Sequence, residues 1–262
     1  MKQIQSVHNQ YIKAAKQLKL KKYRDKTSLF LIEGERLIEE ALQSNYPLEF
    51  SLIAGEVDPG LIEKLEQKCP TFSVSPELLD AVSETENSQG ILAVARQKKI
   101  SLGHLDSAED EAFLMVVDGV QDPGNLGTII RTAAAVGVDG MILTATTVDL
   151  YNSKTVRSSM GSMFYIPIIT GETPEQVSLW LTTKGFKIVT GHVAAEKLYQ
   201  DFDYQGKVAI VVGNENYGPS QVFKASGFPV RIPCRTESLN VSVAAAILLY
   251  ERIRNTDNQW EK

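Results

Sequence analysis

Two α/β domains in succession, the second built on a mostly parallel sheet, are the fold class that this sequence predicts. Three observations lead there. The chain has 262 residues, which at roughly 100 to 200 residues per domain means one large domain or two ordinary ones. Its 43% hydrophobic and 23% charged residues match an ordinary soluble globular protein and exclude disordered, collagen-like and fibrous classes. Apolar strand-like runs alternate with helical patterns along the chain, as in sheets covered by helices.

Taken in order, Val7 to Leu20 has Tyr11, Ala14, Ala15 and Leu18 on one helical stripe, with Lys13, Lys16 and Lys19 largely outside it. A Lys-rich turn follows, then the apolar run Leu29 to Ile32 and a helical pattern from Glu35 to Leu42. Phe50 to Ala54 reads as a strand, Pro59 to Lys68 as a helix with Pro at its start, Pro76 to Val82 as a short helix, and Ile91 to Ala95 as a strand. These pieces form a first domain over residues 1–100. Between Ser101 and Ala112 the apolar pattern lapses and Asp106, Glu109, Asp110 and Glu111 cluster, marking 101–112 as a linker. The second domain, 113–262, has strand-like runs at Phe113 to Val117, Gly140 to Leu143, Lys187 to Thr190 and Val208 to Val212, each followed by a turn residue and a helical pattern. In such sheets ligands sit outside the carboxyl ends of the strands, which directs attention to the loops there.

Three loops stand out. The first runs from Asp118 to Gly127 into a helix over Thr128 to Val136, with Leu126, Ile129, Ile130 and Ala133 on its core face. Gly124 and Gly127 lie seven and four residues before Arg131, so the helix face beneath that arginine is almost bare. A guanidinium held there can reach a phosphate, a carboxylate or a reacting group. The second loop, Gly213-Asn214-Glu215-Asn216-Tyr217-Gly218, leaves an apolar strand and displays Glu215 between two glycines. The third runs from Ile232 to Asn240 into the helix Val241 to Ile253, where Ser238 or Asn240 can cap. Taken singly, each loop also fits a plain turn or a helix cap.

Net charge is −5, but residues 1–36 hold nine Lys/Arg against three acids, a local +6 that leaves −11 for the rest. A basic end on an acidic body fits either a phosphate-docking arm or a solvated Lys-rich helix. No apolar run reaches the roughly 20 residues of a membrane span, and no secretory signal is expected from the polar start Met1 to Gln5. Cys69 and Cys234 are far apart and make no metal-ligand spacing, and a reduced cytoplasmic setting is expected. No metal site is expected, the three histidines being scattered. A pyrimidine-carbon methylase built on Pro233-Cys234 and a nucleotide-dependent oxidoreductase both lack the required Gly-rich loop after an early strand.

Together, the order and spacing of the three loops resemble the signature motifs of the SpoU/TrmH family of RNA ribose methyltransferases, in the SPOUT superfamily. Asn125 to Arg131 fits N-x-G-x-x-x-R, Gly213 to Gly218 fits G-x-E-x-x-G, and Ser238-Leu239-Asn240-Val241 before an alanine-rich helix fits the third motif. Lys154 to Ser162 is similar to the family's intervening segment, and Phe30 to Glu35 with Gln89 to Val94 resembles the substrate-binding domain often fused to it. Asn87-Ser88 departs from the Thr-Pro that relatives often carry there.

The resemblance implies a parallel sheet with a deep trefoil knot and S-adenosylmethionine held near Gly191, Gly213, Ile232 and Leu239. It implies methyl transfer to a ribose 2′-hydroxyl of RNA, ribosomal more than transfer RNA, with a catalytically silent RNA-binding module as the alternative. Arg131, Asn125, Glu215, Ser238 and Asn240 would be the catalytic set and the assembly a homodimer. Because an arginine makes a poor base, Arg131 is expected to orient the phosphate and hydroxyl. RNA contacts are expected from Lys13, Lys16, Lys22, Arg24, Arg36, Lys154 and Arg157.

Overall fold

The computed structural model describes residues 1–85, 88–106 and 110–255, so Asn87 and Glu109 lie outside the described residues. The chain forms two compact units, Met1–Lys98 with Tyr151–Tyr165, and Lys99–Leu150 with Ile166–Lys262.

In the first unit the order is β1 (Lys2–Gln3), α1 (Gln10–Gln17), α2 (Lys21–Thr27), β2 (Leu29–Glu33), α3 (Glu35–Gln43), β3 (Leu48–Ile53), α4 (Pro59–Lys68), β4 (Thr71–Ser73), α5 (Pro76–Val82) and β5 (Ile91–Arg96). The sheet order is β1-β4-β3-β5-β2, parallel from β1 to β3, with β5 antiparallel to both of its neighbours. Asn9, Asp58 and Ser75 cap α1, α4 and α5 through their side chains, and Pro59 and Pro76 occupy first-turn positions where a missing N–H costs nothing. Ile12, Ala15 and Leu18 from the first helical segment pack with Leu52, Leu79 and Val94 in the core. Two features differ from the sequence expectation. The helix expected over Val7 to Leu20 is confined to α1, and the Lys-rich turn is the helix α2. What pins α2 is Arg24, only 5% exposed, whose Nη1 donates to the carbonyls of Leu18 (2.8 Å) and Lys19 (2.9 Å).

The second unit opens with a single 3-10 turn, Leu102–Leu105, inside the expected linker; Leu105 is buried against Gly140. Then come β6 (Ala112–Asp118), α6 (Pro123–Ala135) and β7 (Gly140–Thr144). The chain next returns α7 (Ser153–Ser158) to the first unit, where Tyr151 packs on Phe30 (ring centroids 4.6 Å apart) and Tyr165 donates to Glu40 (2.7 Å). A simple cut between residues 100 and 113 misses this excursion. The second unit resumes with β8 (Ile168–Glu172), α8 (Pro174–Thr183), β9 (Lys187–Gly191), β10 (Lys207–Gly213), α9 (Gln221–Ser226), β11 (Phe228–Val230) and α10 (Val241–Asn255). Its six strands are all parallel, in the order β11-β9-β10-β6-β7-β8. No helix bridges β9 and β10; the expected helical pattern there is only a 3-10 turn, Tyr199–Asp201. Among the described residues no helix is long and apolar enough to cross a membrane.

Candidate active site

Parallel strands end together, so the loops after β6, β7, β9 and β10 share one edge of the sheet, with Gly213 in register with Asp118. Asp118 is buried, which would be costly for a lone carboxylate. Its Oδ1 accepts the Thr144 hydroxyl (3.0 Å) and its Oδ2 the Ser220 N–H (2.7 Å), tying three loops to one group.

Helix α6 starts five residues before the expected Thr128 because Asp122 caps it and Pro123 takes the first turn. Asp122 Oδ1 accepts the Asn125 N–H (2.8 Å), which fixes the backbone beneath the Asn125 side chain. From there the three motifs meet. Asn125 Nδ2 donates to Glu215 Oε1 (3.1 Å) across 90 residues of chain, and Asn240 Nδ2 donates to Asn125 Oδ1 (3.0 Å) across 115. Glu215 also accepts the N–H groups of Gln121 (3.2 Å) and Asp122 (3.3 Å). Burial acts to raise the Glu215 carboxyl, but hydrogen bonds from its own backbone, Asn125, Gln121 and Asp122 outweigh it and hold the group below the usual carboxylate range. The stabilisation is therefore complete above the ordinary carboxyl pKa and is lost as pH falls through the lowered one. Asn240 is the cap of α10: its Oδ1 accepts the Ser242 N–H (2.9 Å) and its carbonyl the Ala244 N–H (2.9 Å).

The β10 loop closes on itself. Asn214 and Gly218 exchange both backbone hydrogen bonds (3.1 and 2.9 Å), and Gly218 takes φ +69°. A Cβ on Gly213 would lie 2.0 Å from the backbone of Gly218 and Pro219, so only glycine fits there.

Beside this network lies a cavity of about 640 Å³. The four residues expected around a cofactor, Gly191, Gly213, Ile232 and Leu239, all line it, as do Glu215, Ser238 and Asn240. Asn125 joins them through its two side-chain bonds. Arg131 is exposed on α6 and is not among the lining residues. Sequence reasoning missed several contributors, four of them polar or aromatic side chains. Asp118 carried a signal, a charge ending an apolar strand, and Tyr217 another, an aromatic in an Asn/Gly turn. His192 and Glu237 also line the cavity, and nothing in the local sequence marks them.

The expected RNA-contacting residues lie in the first unit. Lys13, Lys16, Lys22, Arg36 and Lys154 are exposed, and Lys22 sits over the Tyr23 ring (5.0 Å). Arg157 is half-buried. Arg24 is the exception: its burial and its bonds to the Leu18 and Lys19 carbonyls make it a structural strut, out of reach of a phosphate.

Residues 112–250 match the SpoU rRNA Methylase family, and residues 9–93 the MRM3-like substrate binding domain. The chain is 39% identical to the 23S rRNA (guanosine(2553)-2'-O)-methyltransferase RlmP of Bacillus subtilis, over 95% of this chain and 98% of that protein. To the 23S rRNA (uridine(2479)-2'-O)-methyltransferase of Streptomyces viridochromogenes it is 31% identical, over 88% and 84%. Among solved structures, the AdoMet-bound rRNA methyltransferase from Sinorhizobium meliloti superposes with a TM-score of 0.86 at 31% identity, covering 98% of this chain and 99% of that one. With a family match over residues 112–250 and relatives above 30% identity along most of both chains, the chain belongs to the SpoU rRNA methylase family.

Proposed function

We infer that the chain is an S-adenosylmethionine-dependent methyltransferase that methylates a ribose 2′-hydroxyl of RNA, with ribosomal RNA as the substrate class. The observation that carries this reading is the meeting of Asn125, Glu215 and Asn240 at the rim of one cavity. The cavity fits the cofactor: its volume lies in the range of small-molecule sites, and Val212, Ile232 and Leu239 supply apolar walls for an adenine. It also carries two carboxylates, Glu215 and Glu237, and no Lys or Arg among its lining residues, which suits a ligand of net positive charge.

When bound, S-adenosylmethionine supplies a methyl group on a sulfonium, open to displacement by an oxygen nucleophile. The residues of the chain do the rest. Arg131 holds the substrate phosphate and orients the hydroxyl, since a guanidinium makes a poor base and a good planar donor. Asn125 and Asn240 hold the α6 and α10 entrances at a fixed separation, Glu215 locks the β10 loop to them, and Ser238 lines the cavity. The reading includes a trefoil knot and a cytoplasmic setting; α10, which follows the edge strand β11, packs back on α6, β9 and β10. Incubation with methyl-labelled S-adenosylmethionine and deproteinised ribosomal or transfer RNA tests it. Label is expected in alkali-resistant dinucleotides of ribosomal RNA; cofactor binding with no transfer to either RNA would instead point to a silent RNA-binding module.

The homodimer belongs to the same reading. Helix α10 exposes Val243 (48%) and Tyr250 (52%) seven residues apart on one face, with half-buried Ile247 between them. The protein is expected to sediment as a dimer at micromolar concentration, and Val243→Glu with Tyr250→Glu to sediment as a monomer with reduced transfer. A fully active wild-type monomer would sink this assignment.

Exposed Lys13, Lys16 and Lys22 are the cations of the docking arm. Changing all three to Gln is expected to weaken RNA binding and to flatten its log–log salt dependence by about one unit per lost phosphate contact. Unchanged affinity and slope in filter binding would remove the arm from the reading.

A further inference from the structure

Tyr217 is 80% exposed, more than any other exposed large hydrophobic residue among those described, and it lines the cavity. Such exposure in a loose loop would mean little, but this loop is held. Asn214 Oδ1 accepts the Asn216 N–H (2.9 Å) and the Tyr217 N–H (3.3 Å), and the Tyr217 carbonyl accepts Lys224 Nζ (3.1 Å). The two Asn214–Gly218 backbone bonds close the turn around it. A ring on a fixed backbone is preorganised, and among the described residues no aromatic side chain packs against it. Val193, 63% exposed, lines the same cavity, so two of the molecule's exposed apolar side chains share one mouth.

We propose that Tyr217 is the stacking platform for the nucleobase of the nucleotide whose ribose is methylated, an inference that rests on the RNA methyl-transfer reading. Bringing a 2′-hydroxyl to the cavity draws its nucleotide out of the stack of its neighbours, and the lost stacking must be replaced. A flat ring beside the cavity does this for any base, because every base has a π face. Tyr217 thus fixes the posture of the nucleotide and leaves the choice of sequence to other contacts, and the platform favours unpaired or easily extruded target positions.

The test compares wild type, Tyr217→Phe and Tyr217→Ala in filter binding and steady-state transfer with deproteinised ribosomal RNA, in calorimetry with S-adenosylmethionine, and in sedimentation. The alanine variant is expected to bind RNA about five- to 100-fold more weakly, with KM for RNA raised by a similar factor. The phenylalanine variant should retain most of both, and cofactor affinity and sedimentation should not change in either. RNA affinity of Tyr217→Ala equal to wild type overturns the proposal. So does a loss confined to cofactor binding, which would make Tyr217 an adenosyl wall, or a shift in sedimentation, which would make it a subunit contact. If wild type binds RNA without transferring a methyl group, the enzymatic reading fails, while the alanine effect on RNA affinity still decides the stacking; if wild type binds no RNA, both fail.

Discussion

Arg131→Ala is expected to lower methyl transfer by about 10²- to 10³-fold while S-adenosylmethionine binds as tightly as to wild type. The two readouts separate because of where the residue sits. Arg131 is exposed on α6 and lies outside the cavity lining, so its loss removes nothing from the cofactor walls. The helix itself is held from the opposite face by buried Leu126, Ile129, Ile130 and Ala133 and at its start by the Asp122 cap, so the fold should not suffer. Arg131→Lys keeps the charge but not the planar fork, and recovery of only part of the rate would point to geometry over charge. Single-turnover rates with calorimetry check the prediction; transfer within about threefold of wild type would take Arg131 out of the mechanism.

Gly213→Ala is expected to abolish cofactor binding and to destabilise the protein by more than about 3 kcal/mol, the range of severe backbone and packing clashes. The added Cβ would meet the Gly218 and Pro219 backbone at 2.0 Å, and that backbone cannot retreat without breaking the Asn214–Gly218 pair that shapes the cavity wall. Gly191→Ala is the control. Its Cβ would meet Leu248 Cδ1 at 3.2 Å, the end of a side chain that can shift a few tenths of an ångström, and the Val211 carbonyl oxygen at 3.9 Å, an ordinary van der Waals contact. Thermal melts and calorimetry on both variants should show a large loss for the first and a small one for the second. A Gly213→Ala protein that melts and binds like wild type would refute the steric argument.

Several elements were legible because their signals are local. The α4 and α5 boundaries, Pro59–Lys68 and Pro76–Val82, follow from a capping side chain directly before a proline. The same Asp-Pro pair opens α6, but Gly124 and Gly127 inside its first turns obscured the periodicity there and moved the expected start to Thr128. Helix α2 reads as a turn because it lacks an apolar stripe; it is held by the burial of one arginine, whose guanidinium donates to the carbonyls of Leu18 and Lys19. The short edge strands β8 and β11 are not legible in the sequence, since a few residues at a sheet margin carry little periodicity.

The site divides in the same way. The glycine-bounded loops and the order of the three motifs are written in the sequence, because backbone freedom and helix starts depend on neighbouring residues. The bonds of Asn125 to Glu215 and Asn240 and the place of His192 and Glu237 on a cavity wall belong to the tertiary structure alone. The same holds for the excursion of residues 151–165 into the first unit. The physical reason is that a polar side chain's role is set by the groups that desolvate and hydrogen-bond it, and those partners lie too far along the chain for local periodicity to encode.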